Sequence, residues 1–182
     1  MDLVEFVAHL EENDHLHEAR LLVLLGVFAG ADGTGEVEGL TKLAKLDFLL
    51  RYPVLLERAL AARSCSAAAA QVQPYERDSV ESKMVRYRFG PWDHRYRRFL
   101  NLLVAKGLAH VNVEGRTVNI GLTVRGRSVS GQLASMEEFR DAGRRAAVLK
   151  RHLDLSATHL MKFVYQTFPE LSSLVMNEEI GT

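Results

Sequence analysis

A mainly α-helical fold with one small β-hairpin is predicted by three observations. Apolar residues recur at helical spacing through most of the 182 residues. Residues 108–122 instead alternate apolar and polar around Glu114-Gly115-Arg116, a hairpin turn. A helix with a Lys106-Gly107-Leu108 exit precedes that hairpin, and Leu122-Thr123-Val124-Arg125-Gly126 opens another helix after it. Helix, hairpin, helix in that order is the grammar of a winged helix, here with additional flanking helices.

The elements are taken in chain order. His15–Gly30 is apolar almost all round, through Leu16, Ala19, Leu21, Leu22, Leu24, Leu25, Val27 and Phe28, so it is expected to be buried on most sides. Asn13 or Asp14 can cap it, and Gly30–Gly35 ends it. A short β segment is expected at Glu36–Glu38. From Gly39 the chain reads as helix, with Leu40, Leu43, Leu46, Leu49 and Leu50 as the stripe and Lys42, Lys45 and Asp47 on the wet face. Tyr52-Pro53 interrupts it, and a second helix runs over Pro53–Arg63. Ser64–Tyr75 is small and polar with an alanine run, a linker or the weakest part of a helix.

Met84–Phe89 alternates like a strand and Gly90-Pro91 breaks it. Asp93 is a suitable cap for the helix His94–Lys106. Its stripe is Tyr96, Phe99, Leu100 and Leu103, and Arg95, Arg97, Arg98 and Asn101 face water. Trp92 suits an exposed interface anchor or, the reading favoured here, a core lid closing the strand onto this helix. Thr123 caps a helix over Val124–Ala134. Helices are expected over Met136–Asp154 and Ser156–Leu174, and Asn177–Thr182 is expected to fray. These elements divide into a winged-helix domain over 1–135, with a linker near 64–78, and a helical extension over 136–182.

Composition is ordinary for a globular chain, 47 % hydrophobic and 25 % charged. The one cysteine, Cys65, excludes an internal disulfide framework and fits a reducing compartment. The acidic first residues lack a secretory pattern, and Ala19–Gly30 is too short to span a bilayer. A cytoplasmic chain with no membrane partner is expected.

The formal net charge of zero hides an asymmetry. Residues 1–82 hold 7 Lys and Arg against 14 Asp and Glu, residues 83–151 hold 15 against 5, and residues 152–182 hold 1 against 4. A basic middle between acidic ends is a surface for something acidic: nucleic acid, a protein face, or this chain's own N-terminal part. The candidate binding residues are Arg86 and Arg88 on the strand, Arg95, Arg97 and Arg98 on the helix, Arg116 at the wing, and Arg125 and Arg127 after it. In a winged helix the helix before the hairpin can enter a major groove while the wing touches phosphate. Arginine is also favoured at protein interfaces. Both readings stay open.

No catalytic constellation is visible. His15 and His17 lie two apart, a spacing that points helical side chains apart and not onto one metal ion. Cys65 has only Arg63 near it in sequence, so it is read as inert. Gly30–Gly35 lacks the Lys-Ser/Thr ending of a phosphate loop. No catalytic residue, metal or cofactor is assigned.

The run Gly39–Pro53 (GLTKLAKLDFLLRYP), taken with Ser79–Arg98 (SVESKMVRYRFGPWDHRYRR), resembles the middle component of bacterial ABC-three-component defence systems, the Lamassu-type antiphage systems among them. The resemblance covers roughly residues 15–135. It implies a non-catalytic subunit that bridges an SMC-like ABC ATPase and an effector, often a nuclease, in a hetero-oligomer, with DNA as a further candidate partner. The alternative is a stand-alone winged-helix transcription regulator that pairs through its C-terminal helices.

Overall fold

The computed structural model describes residues 14–77, 85–87, 90–92 and 94–173; for 85–87, 90–92 and 172–173 the description is of backbone. The expected cap Asp93, the lid formed by the Trp92 side chain and the fraying end Asn177–Thr182 lie outside the described residues. The chain is mainly helical with a small three-stranded antiparallel sheet.

The first helix, α1 (Asp14–Ala29), is the centre of the molecule. It has no charged residue after Arg20, and Leu21–Leu25 are all buried. A helix that is apolar all round must be covered all round. Here α5 (Tyr96–Ala105), α6 (Val124–Ser135), α7 (Arg140–Leu153) and the sheet cover it. The approach of α6 is close: a Cβ on Gly26 would lie 2.0 Å from Ser130 Oγ. Gly30, at φ 76°, stops α1, and Lys150 Nζ donates to the carbonyls of Val27 (3.0 Å) and Phe28 (3.1 Å). A cation thus sits where the helix dipole is negative.

Strand β1 (Val37–Glu38) leads into α2 (Leu40–Arg51), and Pro53 begins α3 (Pro53–Ala62). A 3₁₀ turn (Ala67–Ala70) and the short α4 (Pro74–Arg77) come next. Strands β2 (Val85–Tyr87) and β3 (Gly90–Trp92) form a separate antiparallel pair, with β3 against α2. After α5 come β4 (Ala109–Glu114) and β5 (Thr117–Leu122), joined by a two-residue turn. Gly115 takes φ 63° and Arg116 does not go positive, the pattern of a type II′ turn with glycine first. The sheet order is β1–β5–β4, so the first strand pairs with the last.

Two expected helices are interrupted. Residues 137–139 form a 3₁₀ turn before α7, and the helix expected to Leu174 stops at Thr167. Pro169 is the cause of the second break: it constrains Phe168 and cannot extend α8 (Ala157–Thr167), so α9 (Glu170–Ser173) starts anew. Leu149, Leu153, Leu160, Val164 and Phe168 join the same hydrophobic cluster as Leu21, Leu46 and Leu56. Residues 64–77 are docked on α7. Arg145 Nε and Nη2 donate to the carbonyls of Ala70 and Gln71, both at 2.9 Å, and the guanidinium also pairs with Glu76.

The wet face expected on α2 is not found. Lys42, Lys45 and Asp47 are 5 %, 1 % and 0 % exposed. Their helix is covered on that side too, by α5, α8 and β3. Lys42 reaches Asp154 at 2.7 Å and Asp47 reaches Arg20 at 2.6 Å, partners remote in sequence.

Candidate interaction surface

Helix α5 forms because Tyr96, Phe99, Leu100 and Leu103 recur on one face, and all four are buried. The opposite face, Arg97, Arg98, Asn101, Val104 and Ala105, is exposed. Gly107 at φ 66° turns the chain out of the helix, and Leu108 N–H bonds the Leu103 carbonyl. Thr123 secures the junction with the next helix. Its hydroxyl donates to the Gly107 carbonyl (2.7 Å) and accepts from Gly126 N–H (3.0 Å), tying the end of α5 to the start of α6. A Cβ on Gly126 would lie 1.8 Å from the Leu108 carbonyl oxygen, so only glycine fits. The end of α5, the start of β4 and the start of α6 are therefore tied together.

The candidate arginines separate into three groups. Arg97 on α5 and Arg116 at the hairpin tip are exposed, and no described residue pairs with either. Arg98, Arg95 and Arg125 are partly engaged: Arg98 pairs with Asp14 of α1, Arg95 lies over the Phe99 ring at 5.5 Å, and Arg125 Nη1 reaches the Lys106 carbonyl at 3.4 Å. Arg127 is turned inward, which corrects its place among the binding candidates. Its guanidinium donates to the carbonyls of Gly33 (3.2 Å) and Leu122 (3.4 Å), holding the loop after α1 against the sheet. The Arg86 side chain and Arg88 lie outside the described residues.

The acidic N-terminal part thus takes up part of the basic middle. Besides Arg98–Asp14, Lys106 pairs with Glu18, and His110 Nε2 lies 2.8 Å from Glu36. The sequence signal missed the group behind α5. Arg20 makes a two-pronged contact with Asp47 at 2.6 and 2.9 Å, and its Nη2 lies 3.0 Å from His17 Nδ1. The His17 ring stacks on Phe99 at 5.1 Å, and the Tyr96 hydroxyl donates to Asp47. Burial alone would raise the Asp47 carboxyl; the Arg20 guanidinium reverses this and holds it below its ordinary value. Burial and the Asp47 charge push the Tyr96 phenol well up. The alternation of apolar and charged residues on α2 gave no hint, because the partners come from α1 and α5.

Other chemistry is sparse. Cys65 Sγ lies 3.3 Å from His152 Nδ1, a neighbour that the local sequence did not reveal. A cleft of about 440 Å³ between α1 and α6 is lined by Val23, Val27, Ser130 and glycines. Among the described residues, no group of three or more His, Cys, Asp and Glu is placed to hold a metal ion. No described helix is long and apolar enough to cross a membrane. Neither a family model, nor a curated protein, nor a solved structure matches this chain.

Proposed function

We propose that this chain is a non-catalytic accessory subunit built on a winged-helix frame, bridging an SMC-like ABC ATPase and an effector in an antiphage defence complex. The observation that carries the frame is the sheet order β1–β5–β4, with α5 entering β4 directly and β5 leaving into α6. That is the order in which a winged helix presents one helix and one hairpin side by side. The choice of ATPase rests on the resemblance of residues 39–53 and 79–98.

The docking face is α5 with the hairpin. Arg97 and Arg116 supply cations that no described residue pairs with, and Val104 on α5 (41 % exposed) supplies apolar area. Arginine beside exposed apolar area suits a protein surface. DNA contact is the second reading, favoured by the position of Arg97 on the outward face of α5 and Arg116 at the hairpin tip. Against it as the main role, Arg98 and Lys106 are already neutralised by Asp14 and Glu18, leaving few cations for phosphate.

The test is affinity capture of the tagged chain co-expressed with the genes beside its own. Recovery of a coiled-coil ATPase, with a higher melting temperature for the chain in the complex, supports the reading. A chain that elutes alone and binds one operator sequence with steep salt dependence contradicts it in favour of a regulator.

A further inference from the structure

The sheet order leaves β4 at one side of the sheet, and among the described residues no strand pairs with its outer edge. The contacts of β5 determine which backbone groups of β4 point outward. The Val118 carbonyl bonds Gly39 N–H, on the β1 side, so Val118 and its partner Val113 form a pair without mutual hydrogen bonds. By alternation His110, Asn112 and Glu114 bond β5, while Ala109, Val111 and Val113 offer their N–H and C=O groups outward. Edges are ordinarily protected by lysine, proline or a bulge. This strand, Ala109-His-Val-Asn-Val-Glu114, has neither residue, and its register with β5 is unbroken from 109 to 114.

The strand is also complementary to itself. Antiparallel pairing of two copies about a two-fold axis at Asn112 sets Val111 against the second copy's Val113, twice, as hydrogen-bonded pairs. On the opposite face His110 and Asn112 keep their contacts with Glu36 of their own chain, so the valine face carries the complementarity. Valine meets valine where both are exposed. We infer that β4 is a homodimer edge, joining two copies of this chain into one six-stranded antiparallel sheet with Asn112 on the axis. An edge-only contact falls below the roughly 1,200 Å² of standard stable interfaces, so the pairing is reversible and concentration-dependent. Pairing at this edge leaves the outward face of α5 open for docking.

The experiment is sedimentation velocity of the full chain across a wide concentration range, beside three variants. The wild type is expected to shift from monomer to dimer, and Val113→Lys to remain monomeric. Val113 is 67 % exposed, so a thermal melt of V113K is expected to match the wild type. In a Cys65→Ser background, Asn112→Cys is expected to form a disulfide-linked dimer on oxidation, because a non-hydrogen-bonded antiparallel pair brings Cα atoms to about 4.5 Å. Cys65→Ser alone gives the uncrosslinked control. A wild type that stays monomeric throughout overturns the inference. So does a dimer that survives V113K and fails to crosslink at 112, or an edge whose Val111 and Val113 amides gain exchange protection only when a different protein is added.

Discussion

An arginine stands on either side of α5, Arg20 of α1 within and Arg97 without, and the two are used in opposite ways. Inside, Tyr96 and Phe99 close on Arg20, His17 and Asp47, a group whose polar contacts are fixed by other helices. Outside, Arg97 points at water beside Asn101 and Val104. A charge that is answered within the chain stabilises one arrangement of helices. A charge left unanswered on an exposed face is available to a second molecule. Residue type therefore says less about function than the distance to the nearest opposite charge, and only the fold supplies that distance.

The sharpest way to break this comparison is Asp47→Ala. It removes the buried carboxylate that accepts from the Arg20 guanidinium, 15 % exposed, and from the Tyr96 hydroxyl. Loss of one partner of a buried pair costs about 3–5 kcal/mol. Urea denaturation is expected to show a loss of that order, and a loss under about 1 kcal/mol would mean the network is not structural. A smaller effect comes from Lys45, whose ammonium burial lowers to about 8 from an ordinary 10.5. Between those values the unfolded chain keeps a proton that the folded chain has released. Stability is therefore expected to rise with pH from about 8 toward 10, where Tyr96 begins to act in the opposite sense. Lys45→Met is expected to remove that rise, as followed by melting temperature against pH.

Much of the fold was legible in the residues themselves. The hairpin showed in the alternation around Gly115, the stripe of α5 in Tyr96, Phe99, Leu100 and Leu103, and the central burial of α1 in its unbroken apolar run. What stayed hidden depended on partners remote in sequence. Lys42, Lys45 and Asp47 read as a wet face because helical periodicity reports one apolar stripe and cannot count the elements that cover the other sides. Arg127 read as a surface cation because the carbonyls that bind it lie elsewhere, one of them on the loop after α1. At the candidate site the sequence named the arginines; it could not separate Arg97 and Arg116 from Arg98, whose partner Asp14 sits on α1.

Thr123→Ala sharpens the comparison at the joint between the two faces. It removes the cap of α6 and the tie to Gly107, and is expected to cost about 1 kcal/mol in chemical denaturation. A larger loss would mean that the position of α5 depends on this one hydroxyl. The smallest expected effect is that of Arg97→Glu on stability, within about 0.5 kcal/mol of wild type, as for surface positions away from packed or paired features. A substantial loss would place Arg97 among the structural charges.

The most direct measurement is capture of the proposed ATPase partner, co-expressed, by the wild-type chain and by the double variant Arg97→Glu, Arg116→Glu, each with its own melting curve. If α5 and the hairpin are the docking face, the isolated chain melts unchanged and the ATPase is lost from the eluate of the double variant. Equal recovery of the ATPase by both chains would contradict this, and would remove α5 and the hairpin as the docking face.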